Sequence, residues 1–195
     1  LLFDDIPYLK IAQQEHDAFA GALRAEGVEV VYLEDLMAET LDNAPASVRK
    51  NFLKQFIAEA GVTSPKIAKH CYNFLNDYKD NREMVKKCIT GIDISELKRL
   101  SGVSGFYATR DTGRMIIDPI PNLIFQRDPM ATIGYGATLH RMWAPTRTRE
   151  SIFAEYIFKY HPFYEDTKLY YDRTEPYSLE GGDIQVLSPE VIAIG

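Results

Sequence analysis

The apolar residues of this chain change their period twice, and that change limits what it can fold into. Between residues 34 and 102 they recur at helical spacing. Phe52, Leu53, Phe56 and Ile57 make one stripe; Ile67, Cys71, Phe74, Leu75 and Tyr78 make a second; Met84, Val85, Cys88 and Ile89 make a third; Ile94, Leu97 and Leu100 make a fourth. Breaks at Asn43-Ala44-Pro45, at residues 61–65 and at Asp80-Asn81 separate the stripes. The pattern predicts a bundle of short helices with polar outer faces.

On either side the period is different. Leu9, Ile11, Ala12, Phe19, Ala22 and Leu23 predict one helix stopped at Gly27, followed by a buried strand over residues 28–33. Beyond Gly105 the reading is a strand at residues 115–117, a hairpin over residues 131–142 and a helix over residues 150–160. A second hairpin turns around Ser188-Pro189-Glu190. The expected class is α/β (α+β), a mixed domain interrupted by a helical insertion. The boundaries fall at residues 1–35, 36–110 and 111–195.

Composition narrows the function classes. Apolar residues make up 46% of the 195 and charged residues 26%, which is ordinary for a globular chain and excludes wholesale disorder. Basic residues number 22 against 28 acidic ones, a net charge of −6, so the chain does not steer itself onto nucleic acid. No stretch has the apolar length that a bilayer demands. Two cysteines, Cys71 and Cys88, make no disulfide framework and point to a reducing compartment. Both lie on apolar helix faces and read as core thiols. His16, His70, His140 and His161 show no metal-ligand spacing with them, and there is neither a phosphate loop nor a dinucleotide fingerprint. The chain opens without methionine or signal peptide and closes on an apolar run, Val191-Ile192-Ala193-Ile194, so the reading expects a piece of something longer.

Three segments concentrate polar chemistry. Pro121-Asn122-Leu123-Ile124-Phe125-Gln126-Arg127-Asp128-Pro129 bunches three polar groups between rigidifying prolines; taken alone, an Asp before Pro is equally a turn residue. Ser178-Leu179-Glu180-Gly181-Gly182-Asp183 sets a carboxylate on each side of a glycine pair; taken alone, it is equally a glycine bulge at a strand start. Arg147-Thr148-Arg149-Glu150 opens a helix, where Glu150 suits the dipole and the arginines suit either solvent or a substrate carboxylate. Asp128 and Glu180 each precede a hairpin, about 50 residues apart, within the range of repeat periods. Together the segments suit a small, planar, cationic amino acid. Carboxylates accept paired N–H bonds from a guanidinium, an aromatic ring stacks on its plane, and an arginine holds its carboxylate.

The combination resembles arginine deiminase over essentially the whole chain. The resemblance is carried by Leu1-Leu2-Phe3-Asp4-Asp5-Ile6, Pro119-Ile120-Pro121-Asn122-Leu123, Phe125-Gln126-Arg127-Asp128-Pro129, Arg147-Thr148-Arg149-Glu150 and Leu179-Glu180-Gly181-Gly182-Asp183. It implies a partial pseudo-fivefold ββαβ propeller of the guanidine-modifying type, with the helical bundle inserted. It implies cofactor-free and metal-free hydrolysis of L-arginine to L-citrulline and ammonia through a cysteine-bound thiouronium. It further implies a cytoplasmic homodimer that binds neither nucleic acid nor membrane. Matched by motif, Asp128 and Glu180 are the catalytic carboxylates that grip the guanidinium. Phe125 packs on the ligand, Asn122 and Arg147 bind its amino-acid end, and Asp183 supports the site. Neither Cys71 nor Cys88 falls in a matching motif, so the chain alone is expected to lack turnover. The alternatives are a non-catalytic arginine-binding module, an amidinotransferase or methylated-arginine hydrolase of the same fold, and an interaction scaffold built on the bundle.

Overall fold

Prolines and short polar side chains start three of the bundle helices, at Pro45, at Ser64-Pro65 and at Asp80. The computed structural model describes residues 7–101 and 114–195, so the Leu1 to Ile6 motif and the expected boundary at residue 110 lie outside the described residues. The helices are α1 (Leu9–Ala25), α2 (Leu33–Asn43), α3 (Ala46–Glu59), α4 (Pro65–Asn76), α5 (Asn81–Thr90) and α6 (Ile94–Ser101). The Ser64 hydroxyl accepts the Ile67 N–H at 3.5 Å with Pro65 in the first turn, and Asp80 accepts the Glu83 N–H at 3.1 Å. Each cap satisfies a backbone donor that the helix itself leaves unpaired. Helix α5 stops at Gly91, whose φ is 78°. A Cβ there would lie 2.4 Å from the Ile117 carbonyl oxygen, so glycine is required for β1 (Ile92–Asp93) to pair antiparallel with β2 (Met115–Ile117).

The first three helical stripes form the core as expected, joined by Leu97 of the fourth; the Leu100 side chain lies outside the described residues. Phe52, Leu53, Phe56, Leu75, Met84 and Cys88 are fully buried, with Ile67, Tyr78 and Ile89 packed against them. The same cluster continues through Ile117 and Ile120 into Ile152, Phe153, Tyr156 and Ile157 of α7 (Glu150–Tyr160). Phe52 lies 5.8 Å from Phe153 and 5.3 Å, edge-on, from Tyr156, a geometry favoured by ring quadrupoles. Residues 150–158 are buried around the whole circumference of α7; Tyr160 is more than a third exposed at its end.

Helix α7 is also a crossover. Strands β3 (Met130–Ile133) and β4 (Gly136–Leu139) form an antiparallel hairpin, and β5 (Lys168–Tyr171) returns parallel to β4. Parallel neighbours need a long connection, which α7 provides, giving one ββαβ unit in chain order. Strands β6 (Ile184–Ser188) and β7 (Val191–Ile194) make the second expected hairpin. Ala131, Leu179 and Ile184 pack together, which seats the start of β6 beside β3. The chain is thus a mixed α/β structure, as the class expectation had it. No helix among the described residues is long and apolar enough to cross a membrane.

One expectation fails. Residues 28–32 are not a buried strand: Val28 and Val31 are each 47% exposed, and α2 begins at Leu33. Apolar run and β-branching favour an extended chain, but a strand exists only where a neighbour takes its hydrogen bonds, and among the described residues none lies alongside. Helix α1 similarly leaves Leu9 and Phe19 open, and meets the rest of the chain through Arg24 and His16 against Tyr32.

Candidate functional site

Asp128 and Glu180 lie far apart in sequence and meet through backbone geometry. Arg127 reaches across to the second segment, donating from Nε to the Gly181 carbonyl at 3.0 Å and from Nη2 to the Ile184 carbonyl at 2.9 Å. A Cβ on Gly181 would sit 2.2 Å from the Arg127 carbonyl oxygen, so only glycine permits the approach. Leu179 N–H bonds the Arg141 carbonyl at 3.0 Å, anchoring the other end of that segment beyond β4. Within it, the Glu180 N–H donates to Asp183 Oδ2 at 2.8 Å and the Asp183 N–H returns to the Glu180 carbonyl at 3.0 Å.

The carboxylates converge on Arg147. This residue ends the short 3-10 turn Pro145–Arg147 that leads into α7. Its Nη2 donates to Asp128 Oδ2 at 2.9 Å and its Nη1 to Glu180 Oε2 at 3.5 Å. Nε and Nη2 also grip both oxygens of Glu150 at 2.8 and 2.7 Å, a bidentate pair. The second oxygen of Glu180 accepts the Trp143 N–H at 2.9 Å. Three carboxylates around one guanidinium leave two surplus negative charges. The carboxylates differ in access: Asp128 and Glu180 side chains are 27% exposed, whereas Glu150 is 2% exposed. Hydrogen bonding to Glu150, then to Asp128, holds Arg147 firmly protonated. Burial pushes the Glu150 carboxyl up against the pull of Arg147.

Of the residues named from sequence, the structure brings together Asp128, Glu180 and Arg147 directly and Asp183 through the Glu180 backbone. Asn122 and Phe125 share the turn upstream of Asp128. Asn122 is buried, and its Oδ1 meets no hydrogen-bond donor among the described residues; Phe125 is 38% exposed. Neither takes part in the hydrogen bonds around Arg147 given above. Sequence reasoning missed Arg127 as the clasp, Glu150 as the sealed partner and Trp143 as a backbone donor. The i, i+3 spacing of Arg147 and Glu150 was a signal for the second of these. Both cysteines stand apart as core thiols. Burial raises Cys71 to about 11 and pushes Cys88 higher still, so neither is a thiolate near neutrality.

A protein-family model described as arginine deiminase matches residues 1–195. The chain belongs to the arginine deiminase family. It is 48% identical over 197 residues to the arginine deiminase of Clostridium perfringens (strain SM101 / Type A), covering 100% of this chain and 48% of that protein. The likeness to the arginine deiminase of Borrelia duttonii (strain Ly) is 48% over 196 residues, covering 100% of this chain and 47% of the relative. With that of Treponema denticola it is 47% over 196 residues, covering 100% and 48%. The chain therefore spans about half the length of the curated relatives it matches. In this deiminase-family chain, the partly exposed carboxylates of Asp128 and Glu180 already hold a guanidinium, that of Arg147.

Proposed function

We propose that the complete protein hydrolyses L-arginine to L-citrulline and ammonia, and that this chain supplies the carboxylates that grip the substrate. The observation that carries the reading is the convergence of Asp128 and Glu180 on one guanidinium, in a family whose relatives bear the name arginine deiminase. In this reading the substrate guanidinium exchanges with that of Arg147. Arg147 keeps its bidentate hold on Glu150 and turns its freed donors to the ligand's carboxylate. Asn122 adds its unpartnered Oδ1 at the amino-acid end, Phe125 packs on the ligand, and Asp183 keeps Glu180 in place. Two anions on one planar cation fix its orientation, so its carbon faces the nucleophile in a near-attack pose.

The chemistry proposed is covalent. A cysteine thiolate from outside these residues adds to the guanidinium carbon, the C–N bond breaks, and ammonia leaves with a proton from a histidine. Water deprotonated by the same histidine then displaces the thiolate, giving citrulline. The high pKa of Cys71 and Cys88 supports a nucleophile from elsewhere, so the 195 residues alone form no citrulline. The single ββαβ unit β3–β4–α7–β5, with a second hairpin beginning at β6, supports a partial propeller, with residues 1–35 and 111–195 in it and 36–110 inserted. The reaction as written needs no metal or organic cofactor. A net charge of −6 and two unpaired cysteines suit a cytoplasmic protein that binds no nucleic acid, and we place it there as a homodimer.

Asp128→Ala in the complete protein removes most of kcat/KM for arginine; an unchanged kcat/KM refutes the assignment. One observation favours a second reading for the chain taken alone, an arginine-binding module: Asp128 and Glu180 hold a guanidinium while both thiols are buried. Calorimetry with arginine alongside a citrulline assay separates the two.

A further inference from the structure

His140 is fully buried and holds the backbone on which Asp128 stands. Its own N–H donates to the Pro129 carbonyl at 3.0 Å, and its ring Nδ1 lies 2.7 Å from the Asp128 carbonyl oxygen. One residue thus fixes two consecutive carbonyls at the foot of the carboxylate. A carbonyl only accepts, so Nδ1 carries a proton. The other nitrogen, Nε2, lies 2.7 Å from the Thr138 hydroxyl, which is itself 3.1 Å from the Ala131 carbonyl. This relay has two settings. In the neutral ring, Thr138 donates its hydroxyl proton to Nε2. In the imidazolium, Nε2–H donates to Thr138, whose proton swings to Ala131. Both settings keep Nδ1–H on Asp128, so the ring can change charge without releasing the backbone.

The groups facing the ring decide which setting holds. Burial disfavours the cation and pushes the imidazole below its ordinary range, the Asp128 carbonyl, Asp183 and Glu180 favour it, and Arg127 opposes it.

We propose that His140 is a positioning residue whose charge sets the affinity of the Asp128–Glu180 pocket for a cation. The proposal rests on the reading that this pocket binds the arginine guanidinium. Neutral, the ring aligns Asp128 and leaves the pocket's negative surplus intact. Protonated, it adds a positive charge that acts on Glu180 and Asp183 and weakens guanidinium binding. Linkage makes the effect reciprocal: bound arginine makes His140 harder to protonate.

Three measurements test this. Nitrogen-15 NMR of the imidazole near pH 7 is expected to give the Nδ1–H tautomer, and L-arginine is expected to lower its pKa; an Nε2–H tautomer or an unmoved pKa overturns the proposal. In the complete protein, KM for arginine is expected to rise by up to about tenfold for each pH unit below the imidazole pKa. His140→Asn keeps a donor where Nδ1 stood and removes the titration. It is expected to hold KM within about threefold at pH 7 and to abolish the acid rise, whereas His140→Leu loses about tenfold in kcat/KM above the imidazole pKa, a deficit against wild type that shrinks below it. An acid rise that persists unchanged in His140→Asn overturns the proposal even if the leucine variant fails to fold. A complete protein that forms no citrulline sinks the deiminase reading instead, and the NMR titration with arginine still decides the role of His140.

Discussion

Arg147 is the residue on which three carboxylates depend, and the one that suffers most without it is the one least exposed. Glu150 sits at the first position of α7 with its side chain sealed, and Arg147 is the bidentate partner of its two oxygens. Arg147→Ala leaves a buried carboxylate uncompensated, which costs about 3–5 kcal/mol. The loss depends on pH in a defined direction. Burial already raises the Glu150 carboxyl, and removing the cation raises it further. A folded-state pKa above the unfolded value gives stability that is present below the unfolded value and lost as pH rises through the folded one. Urea unfolding of Arg147→Ala is therefore expected to show a smaller deficit against wild type at pH 5 than at pH 7.5; an equal deficit contradicts this role. Asp128, Glu180 and Arg147 were legible as candidates because their neighbours, prolines, glycines and a helix start, restrict the backbone. Glu150 reads in sequence as a partner of the helix dipole, since nothing local says that the helix start is buried.

The elements were legible where their signals are local. Period, turn breaks and glycine stops placed α1, α3 to α6, α7 and both hairpins, because each rests on contacts within a few residues, whereas α2 carried no stripe that was read. Residues 28–32 were misread because pairing, unlike extension, is decided by a distant partner. The juncture of the two hairpin mouths depends on one glycine. Gly181→Ala drives a methyl into the Arg127 backbone, and relieving it opens the clasp. The expected cost is about 1–3 kcal/mol, with a fall in kcat/KM for arginine in the complete protein greater than any change in thermal midpoint implies. Helix α7 links the two regions, since one face packs on the bundle and its start carries Glu150. Phe153→Ala opens a cavity against Phe52 and Phe56 and is expected to cost about 3–5 kcal/mol in urea unfolding. A value below 1 kcal/mol would mean that the bundle and α7 do not share the core.

At the scale of the molecule, an ionic network centred on the buried pair Arg173–Glu155 ties the bundle to the sheet region. Arg173, after β5, reaches Glu59 of α3, with Nη2 on Oε2 at 2.5 Å, and Glu155 of α7 at 2.8 Å; Lys159 also holds Glu155 at 2.7 Å. Burial works to raise the Glu155 carboxyl, but Lys159 and Arg173 together overcome it and leave it below its ordinary value. A folded pKa below the unfolded one contributes stability that is present above the unfolded value, near 4.3, and lost as pH falls through the folded one. Wild type is expected to lose stability as pH is lowered below about 4.3, and Glu155→Gln to lose less of it over the same window. Identical acid profiles for the two would remove Glu155 from the account.

By itself the sequence determined the secondary-structure order over most of the described chain, the mixed class, and which two carboxylates to suspect. Those properties follow from short-range sterics, apolar period and turn chemistry. Tertiary structure alone decided that Asp128 and Glu180 meet on the Arg147 guanidinium, that Arg147 sits on a sealed Glu150, and that His140 holds the Asp128 backbone. Each of those depends on residues brought within 3.5 Å by packing of separate elements, and a linear chain does not encode such distances in any local pattern.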